Sequence, residues 1–428
     1  MPGDLGTALK KASVRLLPFL ALLYFLAFLD RVNVSFAALS MNEDLGLSPF
    51  IYGLGAGIFF LGYVLFEVPS NLILHKVGAR RWIARIMISW GVVSAGTAFI
   101  TGPNSFIAAR LLLGIAEAGF FPGIILYLTY WYPSEVRGKI IGSFMLAIPL
   151  STVFGAPLST ALLDVSIFGL KGWQTLFLLE GLPSVLLGLF TLLYLPDRPA
   201  DAKWLTPRER DLITARLQEE EQQPGREHRL NAVLATPRLW LLGLVYFCIV
   251  LALYGLNFWT PLMVKSLSGL SNQNVGWLTA APNLLAAGAM YVWGRWSDKT
   301  GLRRTFFFIP CLIGAFGFGL SVVFPSPVSG IVAIYLGTIC VYLCAPIFWT
   351  LPTSILAGTA AAGGIAAINS VGNVSGYLGP FLLGALQEKT GNYIGGFVCL
   401  GVSLLLAAAL VLKTREPPGP GSSTAPKA

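Results

Sequence analysis

Residues 71–81 read NLILHKVGARR, and residues 294–304 read GRWSDKTGLRR. Aligned at an offset of 223 positions, both carry a glycine (Gly78, Gly301). A lysine stands two places before it (Lys76, Lys299), and two arginines follow (Arg80 and Arg81; Arg303 and Arg304). The glycine supplies a backbone turn that other residues resist. The cations keep that turn in water beside an apolar phase. Among the differences between the copies, His75 aligns with Asp298. One loop used twice at this spacing makes the chain a tandem of two halves.

Reading outward from the loops, the chain is mostly apolar. Of its 428 residues, 55% are hydrophobic and 11% charged, against about 25% charged in soluble domains. Six apolar runs cover approximately 16–39, 50–74, 82–101, 105–131, 138–163 and 173–195. Six more cover 239–264, 274–296, 305–324, 329–350, 365–387 and 392–412. A helical span needs about 20 residues, and helices satisfy their backbone inside lipid without closing into a barrel. The fold class expected is all-α integral membrane, with twelve transmembrane helices in two six-helix bundles. The bundles are expected at 1–195 and 238–413. Residues 196–237 would form a linker, and 414–428 a disordered tail. Thr206-Pro207-Arg208-Glu209 reads as a capping box that starts a short surface helix running to about Gln222. The first apolar run is too long for a cleaved signal peptide and carries Asp30-Arg31.

The net charge of +9 suggests nucleic acid until its distribution is read. With both termini placed in the cytoplasm, all but five of the 29 Lys and Arg fall on inward segments. The exceptions are Arg31 and Arg110 inside spans and Lys171, Lys265 and Lys389 outside. That is the positive-inside pattern of a multi-pass plasma (inner) membrane protein, and it leaves no basic patch for nucleic acid. The five cysteines lie in apolar runs of the second half without metal-ligand spacing, and there are two histidines. No metal or cofactor is expected, and no enzyme motif is present.

Four charges sit inside spans: Asp30 and Arg31 in the first, Arg110 and Glu117 in the fourth. Each costs roughly 2.5–3.5 kcal/mol at mid-membrane, on the order of 10 kcal/mol together. Such a cost fits a wet cavity holding an anion site beside a proton site. Arg31 and Arg110 would bind a carboxylate, with Asp30 and Glu117 taking protons. Arg110 and Glu117 are seven residues apart on one helix face, about 10 Å along the axis. The competing reading is a structural ion pair with a neighbouring helix. Tyr63 would donate to substrate. Glu67, four residues before Asn71, and Glu180, near the outer end of its span, read as structural. At the repeat offset the four charges map to Leu253, Tyr254, Ala333 and Cys340. The second half therefore offers amides and an aromatic: Asn257, Asn283, Trp349, Asn369 and Asn373. Amides suit hydroxyls where cations bind the acid.

The second-half loop resembles the loop motif of the major facilitator superfamily, and the first-half copy departs from it at His75. More narrowly, YFLAFLDRVNVSFA (24–37), EVPSNLILHKVGARRW (67–82), RLLLGIAEAGFFPG (110–123), YWYPSEVRGK (130–139) and PDRPADAKWL (196–205) resemble the anion:cation symporter family. That family includes bacterial permeases for tartrate, sugar acids and aromatic acids. The resemblance implies a major facilitator fold and a proton symporter importing an organic anion by alternating access. It implies an arginine and an acid at Arg31 and Asp30, a coupling acid at Glu117, and a site aromatic at Trp349. The partners expected are a small organic anion, protons and the lipid bilayer, with the protein a monomer. A sodium-coupled anion symporter is an alternative. A drug/proton antiporter is another, since Gly155-Ala156-Pro157 is a fragment of the antiporter signature.

Overall fold

The computed structural model describes residues 3–222, 236–355 and 359–414. The linker residues 223–235 and the expected disordered tail beyond 414 lie outside the described residues. All long elements among the described residues are helices: α1 Gly3–Asp44, α2 Pro49–Val77, α3 Ala79–Gly96, α4 Pro103–Glu117, α5 Phe120–Thr129, α6 Ser134–Met145, α7 Ala147–Leu162, α8 Gly172–Tyr194 and α9 Pro207–Gln222, then α10 Pro237–Ser268, α11 Asn272–Thr300, α12 Arg303–Val323, α13 Pro327–Ile355, α14 Thr359–Thr390 and α15 Ile394–Val411. With α4–α5 and α6–α7 counted as one span each, eleven spans among the described residues are long and apolar enough to cross a membrane. Helix α14 covers the remaining apolar run. The protein is an all-α, multi-pass membrane protein, with six apolar runs in each half carried by helices among the described residues.

The chain divides into two compact units. Unit 1 comprises Met1–Leu47 and Ile58–Pro224; unit 2 comprises Ser48–Gly57 and Gly225–Ala428. Helix α2 thus contributes to both. In unit 2, Tyr52 donates its hydroxyl to the Phe258 carbonyl at 2.7 Å.

In unit 1, α3 and α8 pack almost backbone to backbone. A methyl on Gly91 would stand 2.8 Å from the Val185 nitrogen and 2.9 Å from the Gly181 carbonyl oxygen. Lipid provides little hydrophobic drive between helices, so small residues that allow close contact carry the packing. This contact turns the adjacent Trp90, Ser94 and Ser184 toward α1.

Helix α1 has 42 residues, roughly 63 Å at 1.5 Å each. That exceeds the ~40–45 Å of a bilayer with its headgroups, so α1 projects beyond it. Helix α9 is joined to the projecting end: Lys11 pairs with Glu209 at 3.0 Å and Asp4 with Arg208 at 2.7 Å. At its other end Glu220 accepts from the Ser134 N–H (2.9 Å) and Arg137 (3.3 Å), and Arg216 pairs with Glu135. The capping hydrogen bonds are reciprocal: Thr206 N–H to Glu209 at 2.7 Å and Glu209 N–H to Thr206 Oγ1 at 3.3 Å. The Thr206 amide, with Lys11 behind it, holds the Glu209 carboxyl below its ordinary range.

Candidate functional site

Asp30 and Arg31 are neighbours in α1, so their side chains leave the helix about 100° apart. The structure sends them to two different polar clusters of unit 1.

The first cluster lies between α1, α2 and α4. Arg31 donates through Nη2 to Glu117 Oε1, and both side chains are almost wholly buried. Arg110 donates to the Arg31 carbonyl at 3.4 Å. The two guanidinium carbons each lie 5.2 Å from the Phe59 ring centroid. The Tyr63 ring is 5.5 Å from Arg31. Two cations therefore share one aromatic wall, a geometry worth about 0.5–2 kcal/mol per contact. The second carboxylate oxygen of Glu117 is buried and meets no hydrogen-bond donor among the described residues.

Glu117 owes its position to a break. The single span expected over 105–131 is two helices. Helix α4 ends at Glu117, Ala118 turns extended (ψ 132°), and Gly119 takes φ +84° before α5 begins. Only glycine is at ease there, and a Cβ on Gly119 would also stand 2.6 Å from Ser70 Cβ. A carboxylate on the last residue of a helix faces the negative end of the dipole, which makes the Arg31 cation its necessary partner. Irregular backbone at membrane depth marks binding sites in transporters. Gly119 followed by Pro122 is the sequence signal that would have revealed the break.

The second cluster lies between α1, α3, α7 and α8. The fully buried Asp30 accepts from Trp90 Nε1 at 2.9 Å, Ser94 at 2.7 Å and Ser184 at 2.7 Å. The expectation that all four intramembrane charges face one cavity therefore fails for Asp30, which is enclosed by neutral donors. Glu180, one turn from Ser184, is also buried and accepts from Ser159 at 2.6 Å. It lies one turn from the residue that donates to Asp30.

The loop residues are clear in both halves. Gly78 and Gly301 adopt φ +97° and +71°. In the second half Arg303 pairs with Asp298 at 3.2 Å, and Arg304 donates to the Leu412 carbonyl. In the first half Asp197 stands in for the acid that His75 replaces. Its carboxylate accepts from the Arg80 N–H at 2.8 Å, with the Arg80 guanidinium 3.8 Å away. Arg81 is exposed.

In unit 2, Trp349 is half-buried, 5.0 Å from the Tyr246 ring and 5.3 Å from Phe348. Asn369 and Asn373 are half-buried on α14, one turn apart. Asn257 is half-buried, with its amide nitrogen enclosed. Asn283 donates one N–H to the Thr279 carbonyl at 2.9 Å, within its own helix.

The profile of the Major Facilitator Superfamily matches residues 20–380 and 269–428. A protein of Agrobacterium vitis named "Putative tartrate transporter" is 48% identical, across 100% of this chain and 99% of that one. A "Quinolone resistance transporter" of Acinetobacter baumannii is 41% identical, across 94% and 93%. The crystal structure of a D-xylose-proton symporter superposes with a TM-score of 0.75 at 17% identity, covering 95% of this chain and 99% of that one. The chain accordingly belongs to the major facilitator superfamily and is a membrane transporter.

Proposed function

We propose that this transporter imports a hydroxylated organic anion of the tartrate type in symport with protons, by alternating access, across the inner membrane. The observation that carries the reading is the buried Arg31–Glu117 pair with Arg110 beside it. An incoming carboxylate competes with Glu117 for Arg31. When it wins, Glu117 is left in a dry place without its counter-ion, and taking a proton restores neutrality. The proton on Glu117 thus offsets the charge of the one carboxylate that docks on Arg31. Bidentate guanidinium–carboxylate pairing favours arginine over lysine at this step.

The substrate class is supported by the relative named as a tartrate transporter. Tyr63, Asn257, Trp349, Asn369 and Asn373 are assigned to hydroxyl recognition. Glu117 is the principal coupling acid. Both termini are assigned to the cytoplasm from the placement of lysine and arginine.

The test is uptake of radiolabelled tartrate into proteoliposomes. An inward proton gradient at fixed sodium should drive accumulation above equilibrium. Uptake that follows a sodium gradient and ignores the proton gradient refutes the proton assignment. The relative named for quinolone resistance supplies a second reading, an exporter. Quinolone-stimulated proton efflux with no response to tartrate favours it.

A further inference from the structure

Glu180 has no part in the exchange at Arg31, yet its surroundings are those of a working acid. It is 3% exposed, and Asp30 and Asn33 are fully buried. Its Oε1 accepts from Ser159 at 2.6 Å. Its Oε2 is buried and meets no hydrogen-bond donor among the described residues. Asn33 stands beside it within hydrogen-bonding reach, and both polar atoms of the Asn33 amide are likewise enclosed. Asp30 lies within electrostatic reach of Glu180.

The donors on these two carboxylates are Trp90, Ser94, Ser184 and Ser159, all uncharged. The titratable groups that face the pair are each other and, from α4, Glu117, which acts on Asp30. Arg31 is adjacent in sequence but turned to Glu117. Two acids side by side in an apolar interior do not both ionise. The two acids are served unequally: Asp30 accepts from three donors, whereas Glu180 accepts from Ser159 with the Asn33 amide close by. A proton on Glu180 Oε2 turns that oxygen into a donor for Asn33 Oδ1. When the proton leaves, the same amide offers its N–H instead.

We propose that Glu180 is a second proton-carrying site, binding and releasing one proton in each transport cycle in partnership with Asp30 and Asn33. The proposal rests on the symporter reading above. Asp30 and Asn33 flank Arg31 on α1, so a shift of α1 when the anion docks is felt directly at Glu180.

The experiment is the steady-state accumulation ratio of tartrate in proteoliposomes, with the membrane potential clamped at zero. The logarithm of that ratio plotted against the imposed pH difference has a slope equal to the protons carried per anion. Glu180→Gln keeps the Ser159 hydrogen bond and should lower the slope by about one, while tartrate counterflow stays within about twofold of wild type. An unchanged slope overturns the proposal. A slope near zero in the wild type defeats the symporter reading itself, a distinct result. Should Glu180→Gln not fold, Ser159→Ala keeps the carboxyl and removes its donor. The pH midpoint of counterflow should then move, and an unmoved midpoint counts against the site.

Discussion

Replacing Glu117 with glutamine should tighten anion binding even as it breaks coupling. In the resting site Arg31 is held by Glu117, and both are almost fully buried. An anion entering above the pH at which Glu117 takes a proton must break that pair. Close charge pairs of this kind couple by about 1.5–7 kcal/mol. The glutamine amide still accepts one neutral hydrogen bond from Arg31, worth about 1 kcal/mol, so the low end applies. Removing about 1.5 kcal/mol of competition corresponds to roughly tenfold in Kd. Isothermal calorimetry with tartrate from pH 5 to pH 8 reads both consequences. Wild-type log Kd should rise with pH as Glu117 gives up its proton, and the Glu117→Gln slope should be shallower by about one. Binding in Glu117→Gln that is weaker than wild type at pH 8, or that keeps the full wild-type slope, would refute competition at Arg31.

Two further substitutions probe the frame of the site. At Gly114 on α4 a methyl would meet the Phe59 carbonyl oxygen and stand 3.1 Å from Phe59 Cα. Gly114→Ala should cost about 1–3 kcal/mol by overpacking, and should weaken tartrate binding because Phe59 carries both guanidiniums; a thermal-unfolding midpoint and a Kd equal to wild type would count against it. Asp197→Ala removes the acceptor of the Arg80 N–H and should cost about 1 kcal/mol. Counterflow should slow, whereas the same change at the exposed Asp201 should have little effect on transport.

The chemistry of the buried residues was legible in the sequence, but their sorting was not. A charge in a 20-residue apolar run declares that it is paired or wet, and Asp30, Arg31, Arg110 and Glu117 do so. Which of them meet is decided by the rotation of α1. The close contact of Gly91 with Gly181 brings Trp90, Ser94 and Ser184 to Asp30 and leaves Arg31 for α4. No local pattern in residues 24–37 encodes that contact. For the same reason Glu180, read as structural, proves to share a compartment with Asp30. The substitute for the missing loop acid was hidden by distance along the chain, since Asp197 follows Arg80 by 117 positions.

The division has a consequence for coupling. Had all four charges met, one proton and one anion would neutralise the cluster together, and the acids would be redundant. On the proposed reading, separation gives each acid its own counterpart: Glu117 answers to whatever occupies Arg31, and Glu180 to Ser159, Asn33 and the neighbouring Asp30. Residues 30–33 join the two, because they lie on one turn of α1. A substitution that leaves the Arg31–Glu117 cluster intact but removes the amide beside Glu180 should therefore separate binding from accumulation. Asn33→Ala is that substitution. It is expected to retain tartrate binding within about twofold and lose gradient-driven accumulation, measured on the same proteoliposomes. Normal accumulation in Asn33→Ala would show that the two clusters act independently.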